Sequence, residues 1–169
     1  LTTAFLLVNG VVIPLSAMVI QRYSTRQVFL TAILIFLGGT IVAAFSPNFQ
    51  ILLIARIIQA LGSGIMMPLM MTTILDVFEP HERGKYMGIF GLVIGLAPAI
   101  GPTLSGYLVE YLDWRALFYV VAPVALLTFL ASTKYVVNVG TNRRVPIDFL
   151  SIILSVLGFG GVLYGTSSI

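Results

Sequence analysis

This sequence predicts an all-α membrane protein, and three observations carry that prediction. Hydrophobic residues make up 59% and charged residues 9% of its 169 positions, and the mean hydropathy is +1.07, outside the range of water-soluble domains. The apolar residues gather into stretches of roughly 20, the length a helix needs to cross the hydrocarbon core of a bilayer. Lysines and arginines fall between alternate stretches, as the positive-inside rule requires of a chain that crosses back and forth.

The stretches lie at about 2–20, 27–45, 50–77, 85–109, 115–136 and 148–166, which gives six spans. Their connections, at 21–26, 46–48, 78–84 and 110–114, are short, so successive helices are expected to be antiparallel neighbours; a longer polar connection runs from 137 to 147. With every stretch crossing, Arg22, Arg26, Arg83, Lys85, Lys134, Arg143 and Arg144 share one side and Arg115 stands on the other. That imbalance makes the first side cytoplasmic. Tyr107, Tyr111 and Trp114 then lie at the outer interface and Tyr23, Tyr86 and Tyr135 at the inner one, as an aromatic belt does. The spans begin and end outside, and a chain that starts at Leu1 without a polar leader reads as a piece of a longer polypeptide with a further span upstream.

The third stretch holds the first candidate site. Arg56 is the only charged residue between Arg26 and Asp76 and sits about two turns in from the outer end. A charge in lipid costs several kcal/mol, so the guanidinium is expected to face the bundle interior or a water-filled cavity. Gln59 and Ser63 follow at helical spacing, and Gly62 and Gly64 leave room beside them. An arginine does not release its proton at physiological pH; its role in a pathway is to favour ionisation of a neighbouring carboxylate or to hold an anion. A structural arginine satisfied by carbonyls is the alternative. Further along, Met66, Met67, Met70 and Met71 surround Pro68. Flexible thioethers suit a cavity that adapts to apolar ligands, and equally suit ordinary packing. Asp76 closes this stretch on the side of Arg22 and Arg26, where a charge relay is expected to latch the inner face.

From Gly84, at the end of the preceding connection, through the fourth stretch, small residues and prolines fall at Gly84, Gly88, Gly91, Gly95, Pro98, Pro102 and Gly106. Spacings of three and four return to one helical face, a side-chain-poor stripe that admits close approach of another helix. The two prolines remove backbone donors and are expected to bend it.

Other chemistries are excluded. With no cysteines there are neither disulfides nor thiolate metal sites. The net charge of +3 comes without any basic cluster longer than two adjacent residues, so no nucleic-acid partner is expected. Gly84-Lys85 lacks a phosphate loop's first glycine and its Ser/Thr, with Glu79 and Tyr86 in those places. His81, the sole histidine, lies in a connection, and no metal-ligand spacing occurs. No enzyme activity and no cofactor are expected. The carboxylates lie at span ends or in connections, which leaves no intramembrane proton carrier.

These residues resemble the major facilitator superfamily, and within it the bacterial multidrug drug:proton antiporters with fourteen spans. Arg22 and Arg26 fit the family's first cytoplasmic signature, with Ala17, Gln21 and Ser24 where the pattern prefers Gly, Asp and Gly, and Asp76 matches its acidic partner. The run from Arg56 through Gln59, Gly62 and Ser63 to Gly64 is similar to the fourth-span motif, whose arginine is linked to proton transfer. Gly88, Ala97, Gly101, Pro102, Ser105 and Gly106 follow the antiporter motif of the fifth span, Ala97 and Ser105 replacing glycines. Trp114, Arg115, Phe118 and Pro123 look like the start of the sixth span, with Val121 where many relatives carry Asn.

The resemblance implies a fragment of a major-facilitator helical bundle, most of the N-terminal six-helix domain plus one extra span. Residues 1–136 would be spans two to six, 137–147 a cytoplasmic linker and 148–169 the seventh span. It also implies a multi-pass protein of the cell membrane that exports amphipathic drugs in exchange for protons. Its partners would be the drug, protons, the lipid bilayer and the remaining spans of the same polypeptide. In that role Arg56, Gln59 and Ser63 line the proton pathway, Met66, Met67 and Met70 line the substrate cavity, and the fifth-span residues form an interdomain gate. The proton-binding acid is expected outside the fragment. A nutrient symporter or facilitator and a non-transporting receptor or scaffold are the alternatives.

Overall fold

A computed structural model of the chain describes residues 2–139 and positions 153, 154, 157, 158 and 165. Its five continuous helices are α1 (Thr2–Arg22), α2 (Thr25–Ala44), α3 (Phe49–Val77), α4 (Pro80–Tyr111) and α5 (Ala116–Tyr135). Each is long and apolar enough to cross a membrane, and no strand occurs among the described residues. The expected span at 148–166 lies outside the described residues apart from the five positions named, as do Arg143 and Arg144.

Local chemistry sets the helix starts. Ser24 caps α2, its hydroxyl accepting from the amide of Gln27, and Asn48 caps α3 by accepting from the amide of Ile51 at 3.0 Å; each satisfies one of a helix's orphan donors. α4 begins with Pro80 at its first helical position, where proline's missing donor is no loss. This start is five residues earlier than the sequence predicts. Hydropathy marks where lipid begins, whereas a helix can begin in water. At 32 residues α4 is about 48 Å long, well beyond the ~30 Å hydrocarbon core. Its polar first turn therefore stands outside the hydrocarbon, secured by Arg83 Nε donating to Phe78 O at 3.0 Å and by Phe78 stacked on Tyr86.

α3 is the hub. It packs most extensively on α2 and also on α1; α2 packs on α5, while α1 and α2 barely meet. Lipid tails are as apolar as leucine, so helices in a bilayer are held by close packing rather than by exclusion of water. Small residues provide it: Ala32, Ala43, Ala55 and Ala60 are fully buried. A Cβ on Gly39 would stand 2.7 Å from the Gln59 amide, and one on Gly62 would stand 2.5 Å from Ala32 O and 2.8 Å from the Phe36 amide. Gly64 meets α1 in the same way, at Asn9 and Val12. The space that the sequence assigns to polar side chains beside Gly62 and Gly64 is occupied by neighbouring helices.

α4 is different. None of its residues is buried, and no Cβ on Gly84, Gly88, Gly91, Gly95, Gly101 or Gly106 would meet anything within 4 Å. Among the described residues the small-residue seam runs through α2 and α3, and the stripe on α4 faces open space.

Replacing Gly62 by leucine is expected to destabilise the full-length protein by more than about 3 kcal/mol, because the clash is with backbone; Gly84→Ala meets nothing and should leave it unchanged or raise it by up to ~1 kcal/mol. Thermal unfolding in detergent checks both.

Candidate functional site

The third-span arginine is anchored by a relay that crosses two helices. Arg56 is half-buried, and its Nη1 donates to Gln59 Oε1 at 3.0 Å. Gln59 Nε2 donates to Thr40 Oγ1 on α2 at 2.7 Å, and Thr40 Oγ1 donates to Phe36 O at 2.8 Å. Gln59 and Thr40 are 2% and 0% exposed, so a missing partner would leave a polar group stranded. None is missing: every buried side-chain nitrogen and oxygen among the described residues has a partner. The guanidinium also stands 4.5 Å from the centroid of the Phe5 ring on α1, an attractive placement for a cation.

Among the described residues no carboxylate forms an ion pair with Arg56. The carboxylates contacted there by basic side chains are Glu79, 3.4 Å from His81, and Asp113, paired with Arg115, both in connections or at helix ends. The charge borders a cavity of about 570 Å³ instead, a volume in the range that takes a drug-sized ligand. α3 supplies Leu52, Arg56 and Gln59, α2 supplies Phe36, and the start of α5 with its preceding loop supplies Trp114, Leu117, Phe118 and Val121. One cation and one amide in an otherwise apolar and aromatic wall can orient an anion or a hydrogen-bonding ligand.

Ser63 stands apart. Its Oγ donates to Asn9 Oδ1 on α1 at 3.2 Å and to Ala60 O at 3.3 Å, so the polar strip read along one helix divides between two partners, α2 at Gln59 and α1 at Ser63. Met66 is half-buried, Met67 and Met70 are exposed, and none of them lines the Arg56 cavity or a second one, of about 370 Å³, between the inner ends of α1 and α2. Arg22, Arg26 and Asp76 are exposed, and among the described residues no ion pair joins them; Arg26 Nη2 donates to Thr133 O at 2.6 Å. Gly88, Ala97, Gly101, Pro102 and Gly106 are exposed on α4, and Ser105 is half-buried, its hydroxyl donating to Pro102 O. Among the described residues no His, Cys, Asp or Glu cluster has the grouping of a metal site.

Three contacts escaped the sequence reading. Thr40 and Asn9 are polar residues deep inside apolar stretches, a signal that was present; Phe5 gives none.

The sequence profile of the Major Facilitator Superfamily matches residues 1–168. The chain belongs to the major facilitator superfamily. It is therefore a multi-pass membrane protein of a transporter family, and not an enzyme. Among relatives in Bacillus subtilis (strain 168), it is 53% identical over its whole length to YcnB, described as an uncharacterized MFS-type transporter, covering 36% of that protein. It is 47% identical over 99% of its length to the lincomycin resistance protein LmrB, covering 35% of it, and 32% identical to the multidrug transporter protein MdtP, covering 33%. The chain thus spans about a third of the length of the curated relatives it matches. In this major facilitator chain the relay is built by α2 and α3, which meet at Gly39 and Gly62, and Val121 stands in the wall of the Arg56 cavity.

Thr40→Val removes the acceptor of the buried Gln59 amide and is expected to lower stability by about 1–3 kcal/mol. Thr40→Val combined with Gln59→Leu should cost less than the sum of the single changes, since both ends of the bond are then apolar. A double-mutant cycle by thermal unfolding reads the difference.

Proposed function

We propose that the full-length protein is a secondary transporter that exports amphipathic or cationic drugs in exchange for protons. The supporting observation is Arg56, a half-buried guanidinium with no carboxylate partner among the described residues, held by Gln59 and Thr40 at the edge of a drug-sized cavity. Similarity to proteins named for lincomycin resistance and multidrug transport favours drugs as the cargo.

In this reading Arg56 acts on the proton site electrostatically. A cation beside a cavity favours the ionised form of an acid brought close to it and so helps the acid release its proton. The relay holds the guanidinium in place while leaving most of its donors free for that partner. Gln59 and the aromatic wall of Phe36, Trp114 and Phe118 face the same space, while Ser63 ties α3 to α1. Met66, Met67 and Met70 are assigned to an apolar substrate surface completed by other parts of the polypeptide. The stripe of Gly88, Ala97, Gly101, Pro102, Ser105 and Gly106 is read as the interdomain gate; the open space beside Gly88, Gly101 and Gly106 supports that reading by leaving room for another helix. Arg22, Arg26 and Asp76 would form an inner charge relay in a conformation with that face closed.

Arg56→Ala in full-length protein is expected to slow proton-driven dye efflux from vesicles at least about tenfold, equivalent to ~1.4 kcal/mol. Arg56→Lys keeps the charge but loses the planar fork, and should retain partial coupling. Undiminished coupled efflux in both variants removes Arg56 from the mechanism.

A further inference from the structure

α2 and α5 lie against each other in opposite directions, and each begins with an arginine that bonds the end of the other. Arg26, the second residue of α2, donates from Nη2 to Thr133 O in the last turn of α5 at 2.6 Å. Arg115, the residue that caps the start of α5, donates from Nη2 to Ser46 O, two residues past the end of α2, at 3.0 Å. The bonds join residues 107 and 69 positions apart. Carbonyls at a helix C-terminus lack intrahelical partners and carry the negative end of the helix dipole, so a guanidinium suits Thr133 O directly and, just beyond the end of α2, lies near the same negative pole at Ser46 O. We infer that Arg26 and Arg115 are reciprocal positioning residues that pin α2 and α5 into one rigid slab, with a permanent pin at the outer end and a releasable one at the inner end.

The asymmetry follows from the surroundings of each arginine. At the outer end Ser46 is 1% exposed. Arg115 is about two-thirds covered, being also bonded to Asp113 at 3.0 Å and stacked 4.5 Å from the Trp114 ring centroid. Phe45 and Tyr119 meet edge to face beside it. A charge-assisted bond shielded from water in this way is strong. At the inner end the Arg26 bond is exposed, and exposed charge contacts contribute little in water. The neighbouring Thr25 reinforces it, its Oγ1 donating to Val139 O at 2.7 Å and so tying down the segment that leaves α5.

Fixing the slab fixes a cavity. Phe36 on α2 and Leu117, Phe118 and Val121 on α5 all line the Arg56 cavity, so a change in the spacing of the two helices changes its shape. That consequence rests on the functional reading given to the cavity above; the pins do not.

The experiment uses full-length protein in lipid nanodiscs. The 169 residues contain no cysteine, so, with any others in the protein replaced, spin labels can be placed at an outer pair, Val42→Cys with Val120→Cys, and an inner pair, Gln27→Cys with Leu130→Cys, all exposed positions. Pulsed electron resonance should give one narrow distance for each pair. Arg115→Gln should lose the narrow peak at the outer pair, Arg26→Gln should lose it at the inner pair only, and Arg26→Lys, which still donates to one carbonyl, should restore it. Unchanged distances at both ends in both glutamine variants overturn the inference, as does an inner pair that lysine fails to rescue. Should Arg115→Gln not fold, Arg115→Lys, which lacks the fork that reaches Asp113 and Ser46 together, must broaden the outer pair or the outer pin is refuted. Distances need no transport, so pins that respond while Arg56 variants keep full coupled efflux would sink the functional reading and leave the slab standing.

Discussion

The site depends on how closely α2 and α3 approach. Gly39 and Gly62 bring the two backbones to a separation that admits no Cβ, and only at that separation does Thr40 reach Gln59 at 2.7 Å. Without the approach, Gln59 Nε2 would lose its acceptor on α2, and the amide that receives Arg56 would no longer be held from the neighbouring helix. In water such a seam could be replaced by a larger apolar interface. In lipid it cannot, because apolar surface alone gives helices no preference for one another over acyl chains. The same two glycines therefore hold the bundle together and hold the guanidinium still.

The electrostatic state of the site is unfinished by design. A buried arginine is ordinarily paired, since an uncompensated charge at membrane depth is expensive. Here the guanidinium is met by a neutral amide and an aromatic face and otherwise opens onto a cavity. α4 is unfinished in another sense, with its row of glycines uncovered and none of its residues buried. Both features belong to a chain that spans about a third of its relatives, and both are places where further helices of a transporter can fit. α2 and α5, by contrast, already hold each other at both ends.

Much of this was legible in the sequence, and what was not has a physical reason. Lipid imposes a length and a composition on every span, so α1, α2, α3 and α5 fall within two residues of the stretches that hydropathy marks. α4 departs because its first turn lies in water. Arg56 and Gln59 were readable as a pair, being three residues apart on one helix. The destination of Ser63 was not, because it depends on the rotation of α1, which no spacing within α3 encodes. Glycines mislead in the same way. The long row on α4 is the conspicuous one, yet Gly39, Gly62 and Gly64 are where helices meet within the described chain, since a seam needs small residues on both partners and a single helix shows only one side. Arg26, which resembles part of a charge relay, spends its bond on a carbonyl of α5, a partner more than a hundred residues away.

The central claim is that Arg56 borders water inside the protein rather than lipid outside it. The direct measurement is the reactivity of an Arg56→Cys variant, in otherwise cysteine-free full-length protein in intact membranes, with a charged thiosulfonate reagent that reacts only with hydrated thiols. Position 56 should label readily and a drug substrate should slow it, while a Leu127→Cys control on the exposed face of α5 stays unreactive in the acyl chains. A position 56 as inert as the lipid-facing control would contradict the claim.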